Sequence, residues 1–150
     1  MSLFGALDVS ASGLTAQRLR MDVIAENIAN VETTRTETGG PYMRKTVLFQ
    51  ERGGSRPFAE FFNRAMGGVL KNPSGVRVSR IATDLRPGAK VYEPGHPDAD
   101  EDGYVIKPNV NIVEEMVNMI SASRSYEANV TAFNATKSMI AKTLEIGSLR

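Results

Sequence analysis

Apolar residues recur at regular intervals over the last third of the chain. One row has a spacing of seven residues and consists of Ile112, Met119, Tyr126, Phe133 and Ile140. A second row lies four residues after members of the first and contains Met116, Val130 and Leu144. Ser123 and Lys137 occupy the two remaining positions of this row and are polar. This spacing is typical of one face of an α-helix. The pattern predicts a single long helix over residues 109–147.

The residues at both ends of this stretch fit the ends of a helix. Pro108 disfavours helical backbone at the residue before it, and Asn111 with Glu114 three positions later forms a capping-box pattern. Glutamates in a first turn also interact favourably with the positive end of the helix dipole. Gly147 is a residue type that often follows the last turn, so we expect the helix to end there.

The N-terminal stretch repeats the same spacing. Its rows contain Leu7, Leu14, Met21 and Ile28, with Leu3, Ile24 and Val31 alongside, and no proline precedes Pro41. This predicts a helix over residues 3–31. Either apolar stripe alone fits the core packing of an ordinary helix. Two matching stripes at opposite ends of the chain favour a different interpretation, in which the terminal helices pair as a coiled coil.

The middle of the chain differs in composition. Glycine, proline and β-branched residues dominate residues 36–108, and short extended runs cover 44–50, 76–81, 89–92 and 104–107. Residues 58–66 suit a short helix or a mobile aromatic loop. We therefore predict a mainly α fold with a small β-rich domain inserted between the helices. The domain formed by the terminal helices comprises residues 1–35 together with 109–150, and the insert comprises 36–108.

Composition narrows the function classes. Eighteen basic and 17 acidic residues give a net charge of +1, which makes no general case for binding nucleic acid or a membrane surface. The absence of cysteine excludes disulfides and thiolate metal sites. No stretch approaches the ~20 apolar residues of a membrane span, and no cleavable signal peptide is visible. We expect no membrane insertion and, if the chain is exported, a route without signal cleavage.

Few residues suggest chemistry. His96 is the only histidine and lies in a turn sequence between Pro94 and Pro97, without a serine nucleophile motif nearby. The acidic run from Asp98 to Gly103 matches the first half of a calcium-binding EF-hand loop, but its twelfth position is Asn109 instead of glutamate. We expect a solvated turn there. The sequence therefore predicts no catalytic, cofactor-binding or metal site, and no enzyme.

Two sets of residues resemble the bacterial flagellar axial proteins. Residues 10–14 and 27–34 are similar to the N-terminal signature of that family, and residues 94–105 and 108–129 are similar to its proximal rod members. The signature positions in this chain are Asn27, Ile28, Ala29, Asn30, Asn109 and Asn111. The similarity covers both termini and the approach to the second helix, and it is weakest over residues 52–75.

The resemblance implies a structural subunit of the basal-body proximal rod. Such subunits polymerise through their terminal helices into the axial drive shaft, which transmits torque and surrounds the export channel. The resemblance further implies export through the flagellar type III apparatus, without cleavage, and a place in the rod that spans the periplasm. The partners it implies are other copies of the chain, proximal rod subunits B and F, rod-base protein E and distal rod protein G.

The helix seams are the predicted interaction residues. They comprise Leu7, Leu14, Met21, Ile24, Ile28, Ile112, Met116, Met119, Tyr126, Val130, Phe133, Ile140 and Leu144. The same seams also fit a second interpretation from another class, a helical export adaptor or chaperone that binds partner helices. An enzyme using His96 or the acidic run is a third, and it would require a concave site with perturbed titrating groups.

Overall fold

The computed structural model describes residues 3–37, 39–52, 62, 66 and 75–148. Helix α1 spans Leu3–Ala29 and helix α2 spans Ile112–Ser148. Between them lie four strands, β1 (Lys45–Glu51), β2 (Val76–Thr83), β3 (Lys90–Tyr92) and β4 (Tyr104–Ile106). The predicted helix–strand–helix order is confirmed, and the four extended runs agree with these strands to within two residues at each end. The prediction for residues 58–66 lies almost entirely outside the described residues.

The start of α2 is capped as the sequence predicts. The Asn111 side-chain oxygen accepts hydrogen bonds from the backbone N–H groups of Val113, at 3.0 Å, and Glu114, at 3.4 Å. These bonds satisfy donors that have no partner within the helix. The helix ends one residue beyond the predicted end, because Gly147 lies within α2, which continues through Ser148. Glycine is only weakly unfavourable in a last turn, so it does not by itself stop a helix.

Helix α1 ends where the Asn30 side chain binds one of the last carbonyl groups of the helix and the Thr33 hydroxyl in turn binds Asn30. The Asn30 amide donates to the Glu26 carbonyl oxygen at 2.9 Å, and the Thr33 hydroxyl donates to Asn30 Oδ1 at 3.1 Å. Such local side-chain bonds compete with continued helix. They explain why the helix ends at Ala29, two residues before its predicted end.

The strands form two small sheets. β1 pairs with β2, and β3 pairs with β4 in an antiparallel hairpin that places Val91 opposite Val105. Val105 is fully buried, whereas the Tyr92 and Tyr104 rings meet edge to face at 5.3 Å on the other side. Gly103 closes the hairpin with a φ of 79°, a left-handed conformation that favours glycine.

Among the residues that the structure describes, no helix is long and apolar enough to cross a membrane.

The chain divides into two compact units. Unit 1 comprises residues 1–18, 49–79 and 124–150, and unit 2 comprises residues 19–48 and 80–123. Each helix contributes residues to both units. In unit 1, Gly13 of α1 lies against the Asn129 side chain of α2, and in unit 2, Asn27 of α1 donates to Glu115 of α2. The helices therefore meet within each unit, while their pairing as a coiled coil stays a prediction.

Candidate assembly surface

The predicted seam residues differ in burial within the isolated chain. Ile24 is buried, and three residues of α2 are exposed: Ile112, Met116 and Leu144. The remaining residues are half-buried: Leu7, Leu14, Met21, Ile28, Met119, Tyr126, Val130, Phe133 and Ile140. Among the described side chains of α2, the buried ones are Glu115, Ala122 and Thr136, which are spaced at multiples of seven. Small and polar residues thus lie at the most buried positions, with the predicted apolar rows beside them.

Helix α2 has a continuous apolar face exposed in unit 2. This face, called here the outer face, consists of Ile112, Val113, Met116, Val117 and Ile120, each 44% or more exposed. The positions recur at intervals of three and four residues, so their side chains share one side of the helix. Large apolar side chains grouped in this way on a surface mark a site of protein contact more often than scattered ones do.

A buried polar cluster lies on the other side of the same helical turns. We call Asn27, Tyr42, Arg44 and Glu115 the polar cluster. Glu115 is 1% exposed, and its Oε1 accepts from Arg44 Nε at 2.8 Å and from Arg44 Nη2 at 2.6 Å. Its Oε2 accepts from Asn27 Nδ2 at 2.9 Å. A buried carboxylate is tolerable only when its charge and lone pairs find such partners.

The Asn27 amide connects both helices to strand β1. Its Nδ2 donates to the Lys45 carbonyl oxygen at 2.8 Å, and its Oδ1 accepts from the Lys45 N–H at 2.9 Å. The side chain therefore pairs with β1 as a neighbouring strand's backbone would. The Tyr42 hydroxyl donates to the same Oδ1 at 3.0 Å. One side chain of α1 thus binds α2, β1 and the segment that leads into β1.

The surroundings of Tyr42 in the polar cluster raise the pKa of its phenol. Burial, together with the negative charges of Glu26 and Glu115, raises the pKa of the Tyr42 phenol from 10.0 to about 12. Both causes disfavour a phenolate, because it would be poorly hydrated and would face two carboxylates. Tyr42 therefore stays a neutral hydrogen-bond donor to Asn27 throughout the physiological range.

Asn109 fixes the approach to α2. Its Oδ1 accepts from the Arg44 N–H at 2.8 Å, while its Nδ2 donates to the carbonyl oxygens of Asp84 and Arg86, each at 3.0 Å. Hydrogen bonds from Arg86 lower the pKa of Asp84 to about 2, so this carboxylate keeps its charge. All four signature asparagines, Asn27, Asn30, Asn109 and Asn111, thus make hydrogen bonds to backbone groups.

Sequence reasoning missed the roles of Tyr42, Arg44 and Glu115, although Glu115 lies within the stretch 108–129 that resembles the rod proteins. One signal was present. Glu115 begins a row of non-apolar or small residues spaced by seven, the others being Ala122, Asn129 and Thr136. A search for apolar positions passes over this row, although two helices approach most closely where their side chains are small. Arg44 and Tyr42 leave no such trace, because their partners Glu115 and Asn27 lie on helices that are 71 and 15 positions away in sequence.

The other candidate groups have structural partners. His96 Nδ1 accepts from the Asp98 N–H at 3.1 Å, and the Asp98 carboxylate accepts from the Thr34 hydroxyl at 2.7 Å. Arg35 lies 3.8 Å from the same carboxylate. The run up to Gly103 forms the turn between β3 and β4. Within the described ranges, no group of three or more potential ligand side chains could hold a metal ion.

Two family models match the chain at its ends. Residues 7–35 match the model described as "Flagella basal body rod protein", and residues 101–146 match "Flagellar basal body rod FlgEFG protein C-terminal". The matched ranges contain most of α1 and α2, as well as Asn27 and Glu115 of the polar cluster. They leave the strands β1 to β3 outside.

Full-length relatives are similar along the whole chain. "Flagellar basal-body rod protein FlgC" of Bacillus subtilis (strain 168) is 51% identical, covering 98% of this chain and 99% of the relative. The proteins of the same name from Borreliella burgdorferi and Salmonella typhimurium are 48% and 42% identical, with at least 97% of each chain covered. None of these names denotes an enzyme or an adaptor. The chain therefore belongs to the FlgC family and is a structural protein of the flagellar basal-body rod.

Proposed function

We propose that the chain polymerises through its terminal helices into the proximal part of the rod, the axial shaft that transmits torque and surrounds the export channel. The observation that carries this proposal is the outer face of α2. Five large apolar side chains at helical spacing remain exposed in the single chain. Covering them in an assembly would remove apolar area from water, at roughly 25 cal/mol per Å².

The predicted seam residues have the same role in this proposal. Ile112, Met116 and Leu144 are exposed in the single chain and are available to a neighbouring helix. The half-buried members, such as Phe133 and Tyr126, would lose their remaining exposed surface in the assembly. The rod core is then built from residues 1–35 and 109–150, and residues 36–108 form an outer layer.

The neighbours are other rod proteins. The family resemblance supports contacts with further copies of the chain, with proximal rod subunits B and F, with rod-base protein E and with distal rod protein G. It also supports export without signal cleavage through the flagellar type III apparatus, and a rod that spans the periplasm. Nucleic acid and the lipid bilayer have no part in this proposal.

A substitution on the outer face tests it. Met116 is 54% exposed, so Met116→Asp should leave the folded chain intact while placing a carboxylate in the proposed contact. We expect this variant to be exported at the normal level but to be missing from rods, leaving cells non-motile. Met116→Leu, which keeps an apolar side chain of similar volume, should assemble. Electron microscopy of basal bodies and blotting of the secreted fraction provide the two measurements.

Thr46→Asp is the matched control. Thr46 is exposed on β1 and belongs to unit 2, so this change adds the same charge to the same unit away from the helices. We expect normal rods from it. Normal rods from Met116→Asp would show that the outer face is not an assembly surface.

A further inference from the structure

The polar cluster is an unexpected way to join two helices. Glu115 and Asn27 are each 1% exposed, and both occupy positions where an apolar side chain would pack without needing a partner. Buried ion pairs are often no more stabilising than apolar residues of similar volume, since desolvation offsets the attraction between the charges. Stability alone therefore does not account for the choice of residues. What the cluster supplies that apolar residues do not is a single permitted alignment.

The apolar pattern of the two helices does not define one alignment. Met21 and Ile28 on α1 are seven residues apart, and so are the half-buried Met119 and Tyr126 on α2. If α2 moved along α1 by one heptad, an apolar residue would again face an apolar residue. Repeats of this kind permit alternative registers, and a single buried polar contact is a well-attested device for selecting one of them.

The polar cluster penalises every shifted alignment. A displacement of α2 by one turn, about 5.4 Å, would take the Glu115 carboxylate out of hydrogen-bond range of both Arg44 and Asn27. It would leave a carboxylate and a guanidinium buried without partners. Asn27 cannot follow the displacement, because its amide is bonded to both the N–H and the carbonyl oxygen of Lys45. The alignment of three elements thus depends on one set of bonds.

We propose that Asn27, Arg44 and Glu115 are positioning residues that fix the register of α2 against α1 and β1 and so present the outer face in one orientation before another subunit docks. This rests on the proposed assembly role of the outer face. Glu115 lies between Val113 and Met116 in sequence, so the bonds that hold its carboxylate also set the rotation of the turns that bear that face. The occupant of the face is a helix of a neighbouring rod subunit.

The test replaces the three groups by apolar ones of similar length, in the variant Asn27→Leu/Arg44→Met/Glu115→Met. Because the chain has no cysteine, Asp22→Cys on the exposed side of α1 gives a unique site for a nitroxide label. In the otherwise unchanged chain, one contiguous set of amides in residues 112–123 should broaden in the NMR spectrum. In the triple variant, we expect a second set of resonances, broadened at positions displaced by about one heptad, or about 10 Å.

Population and assembly are the quantities compared. The displaced form should rise from below detection to a measurable second set of resonances. The unfolding midpoint does not decide the question, because Asn27→Leu also removes the partner of the Lys45 backbone groups and of the Tyr42 hydroxyl. Rods should be lost despite normal export. A purely structural role would lower the midpoint without a second set of resonances. One set of resonances with the unchanged broadening pattern would overturn the proposal, whether or not rods form.

Two further measurements make the outcome decisive. If the triple variant does not fold, Glu115→Gln replaces it, because the amide keeps the shape of the side chain but removes the charge. A second set of resonances from this variant supports the proposal, and a single set overturns it. An unchanged chain whose unit 2 gives no dispersed resonances also overturns it. Met116→Asp should keep the native register, so normal rods from that variant contradict the assembly role and not the register role.

Discussion

The two units hold their helices together by different chemistry. In unit 2, a buried carboxylate, a guanidinium, an amide and a phenol join α1, α2 and β1 through charge-assisted and neutral hydrogen bonds. In unit 1, the buried residues that the structure describes are small, namely Ser12, Gly13, Ala16 and Thr136. Close approach of backbones replaces the polar network there. The helices of unit 2 are therefore joined by paired charged groups, whereas those of unit 1 approach each other because the side chains between them are small.

The contacts of Ser12 show how unit 1 is fitted together. Its hydroxyl accepts from the Val76 N–H at 3.0 Å and donates to the Val9 carbonyl oxygen at 2.7 Å. A Cβ placed on Gly75 would lie 2.0 Å from that hydroxyl oxygen. The start of β2 thus contacts α1 only because residue 75 has no side chain. A polar group is present here too, but it is a neutral hydroxyl bonded to backbone.

The largest expected effect is on the charged pair of unit 2. Glu115→Ala deprives the largely covered Arg44 guanidinium of its main partner and Asn27 of an acceptor. Breaking a buried pair in this way costs about 3–5 kcal/mol. Hydrogen exchange of the slowest amides in residues 19–29 and 112–123 measures the free energy of opening of unit 2. We expect these amides to lose most of their protection.

Glu114→Ala is the control for this prediction. Glu114 Oε1 also lies 3.0 Å from Arg44 Nη2, but its side chain is 59% exposed. An exposed ion pair contributes about 0–1 kcal/mol, because water and salt screen it. Two adjacent glutamates with the same arginine partner should therefore differ several-fold in effect. Equal losses from the two variants would contradict the account of unit 2 as a buried network.

High pH provides a second test of unit 2. The pKa of Tyr42 is raised to about 12, so the folded state holds the phenolic proton more tightly than the unfolded state does. The stability from this group is complete below pH 10 and is lost as pH rises from 10 through 12, by up to about 3 kcal/mol. Denaturant unfolding between pH 9 and pH 12, followed by helical circular dichroism, measures the loss.

Tyr42→Phe isolates the contribution of the phenol. This variant lacks the titrating group and loses the hydrogen bond to Asn27, which costs about 1 kcal/mol at neutral pH. Its stability should then fall less steeply above pH 10 than that of the unchanged chain, because residue 42 no longer titrates. If the free energies of unfolding of the two proteins fall in parallel above pH 10, folding does not raise the pKa of Tyr42.

The sequence predicted the elements of both units far better than it predicted their contacts. Heptad spacing, the Asn111 cap and the alternating runs locate α1, α2 and the four strands because these signals act over a few residues. The burial of Glu115 is a different matter, since it depends on Arg44, 71 positions earlier in the chain. Hydrophobicity also ranks Met116 above Glu115 as a core residue, whereas the structure exposes the first and buries the second.

The third prediction concerns unit 1 and the effect of adding a methyl group at Gly75. Gly75→Ala would place a methyl group 2.0 Å from Ser12 Oγ and 3.3 Å from the Val9 Cα atom, so β2 and α1 must separate. We expect unit 1 to lose about 1–3 kcal/mol, as for other overpacked sites. The same change in a Ser12→Gly background should cost less, because the hydroxyl and its Cβ are then absent. An identical cost in both backgrounds would mean that the contact does not limit the approach.

The smallest effect concerns Gly13, where two opposing contributions nearly cancel. Alanine in place of glycine inside a helix is worth up to about 1 kcal/mol. In this chain, however, the new Cβ would lie 2.9 Å from Asn129 Oδ1, and the Asn129 amide also donates to the Ser125 carbonyl oxygen at 2.8 Å. Moving that side chain would weaken its hydrogen bond, which is worth about 1 kcal/mol. We therefore expect Gly13→Ala to be close to neutral in the unchanged chain. In an Asn129→Ala background the obstacle is gone, and the same substitution should stabilise unit 1 by about 1 kcal/mol.

Gly147→Ala is the control for Gly13→Ala. A Cβ at residue 147 meets no atom within 4 Å, so this change should give a small gain in either background. A double-mutant cycle measured by exchange of the amides of residues 3–18 and 124–148 gives the coupling between residues 13 and 129. A coupling near zero would remove the evidence that α1 and α2 approach each other through Gly13, and unit 1 would then need another explanation for its small buried residues.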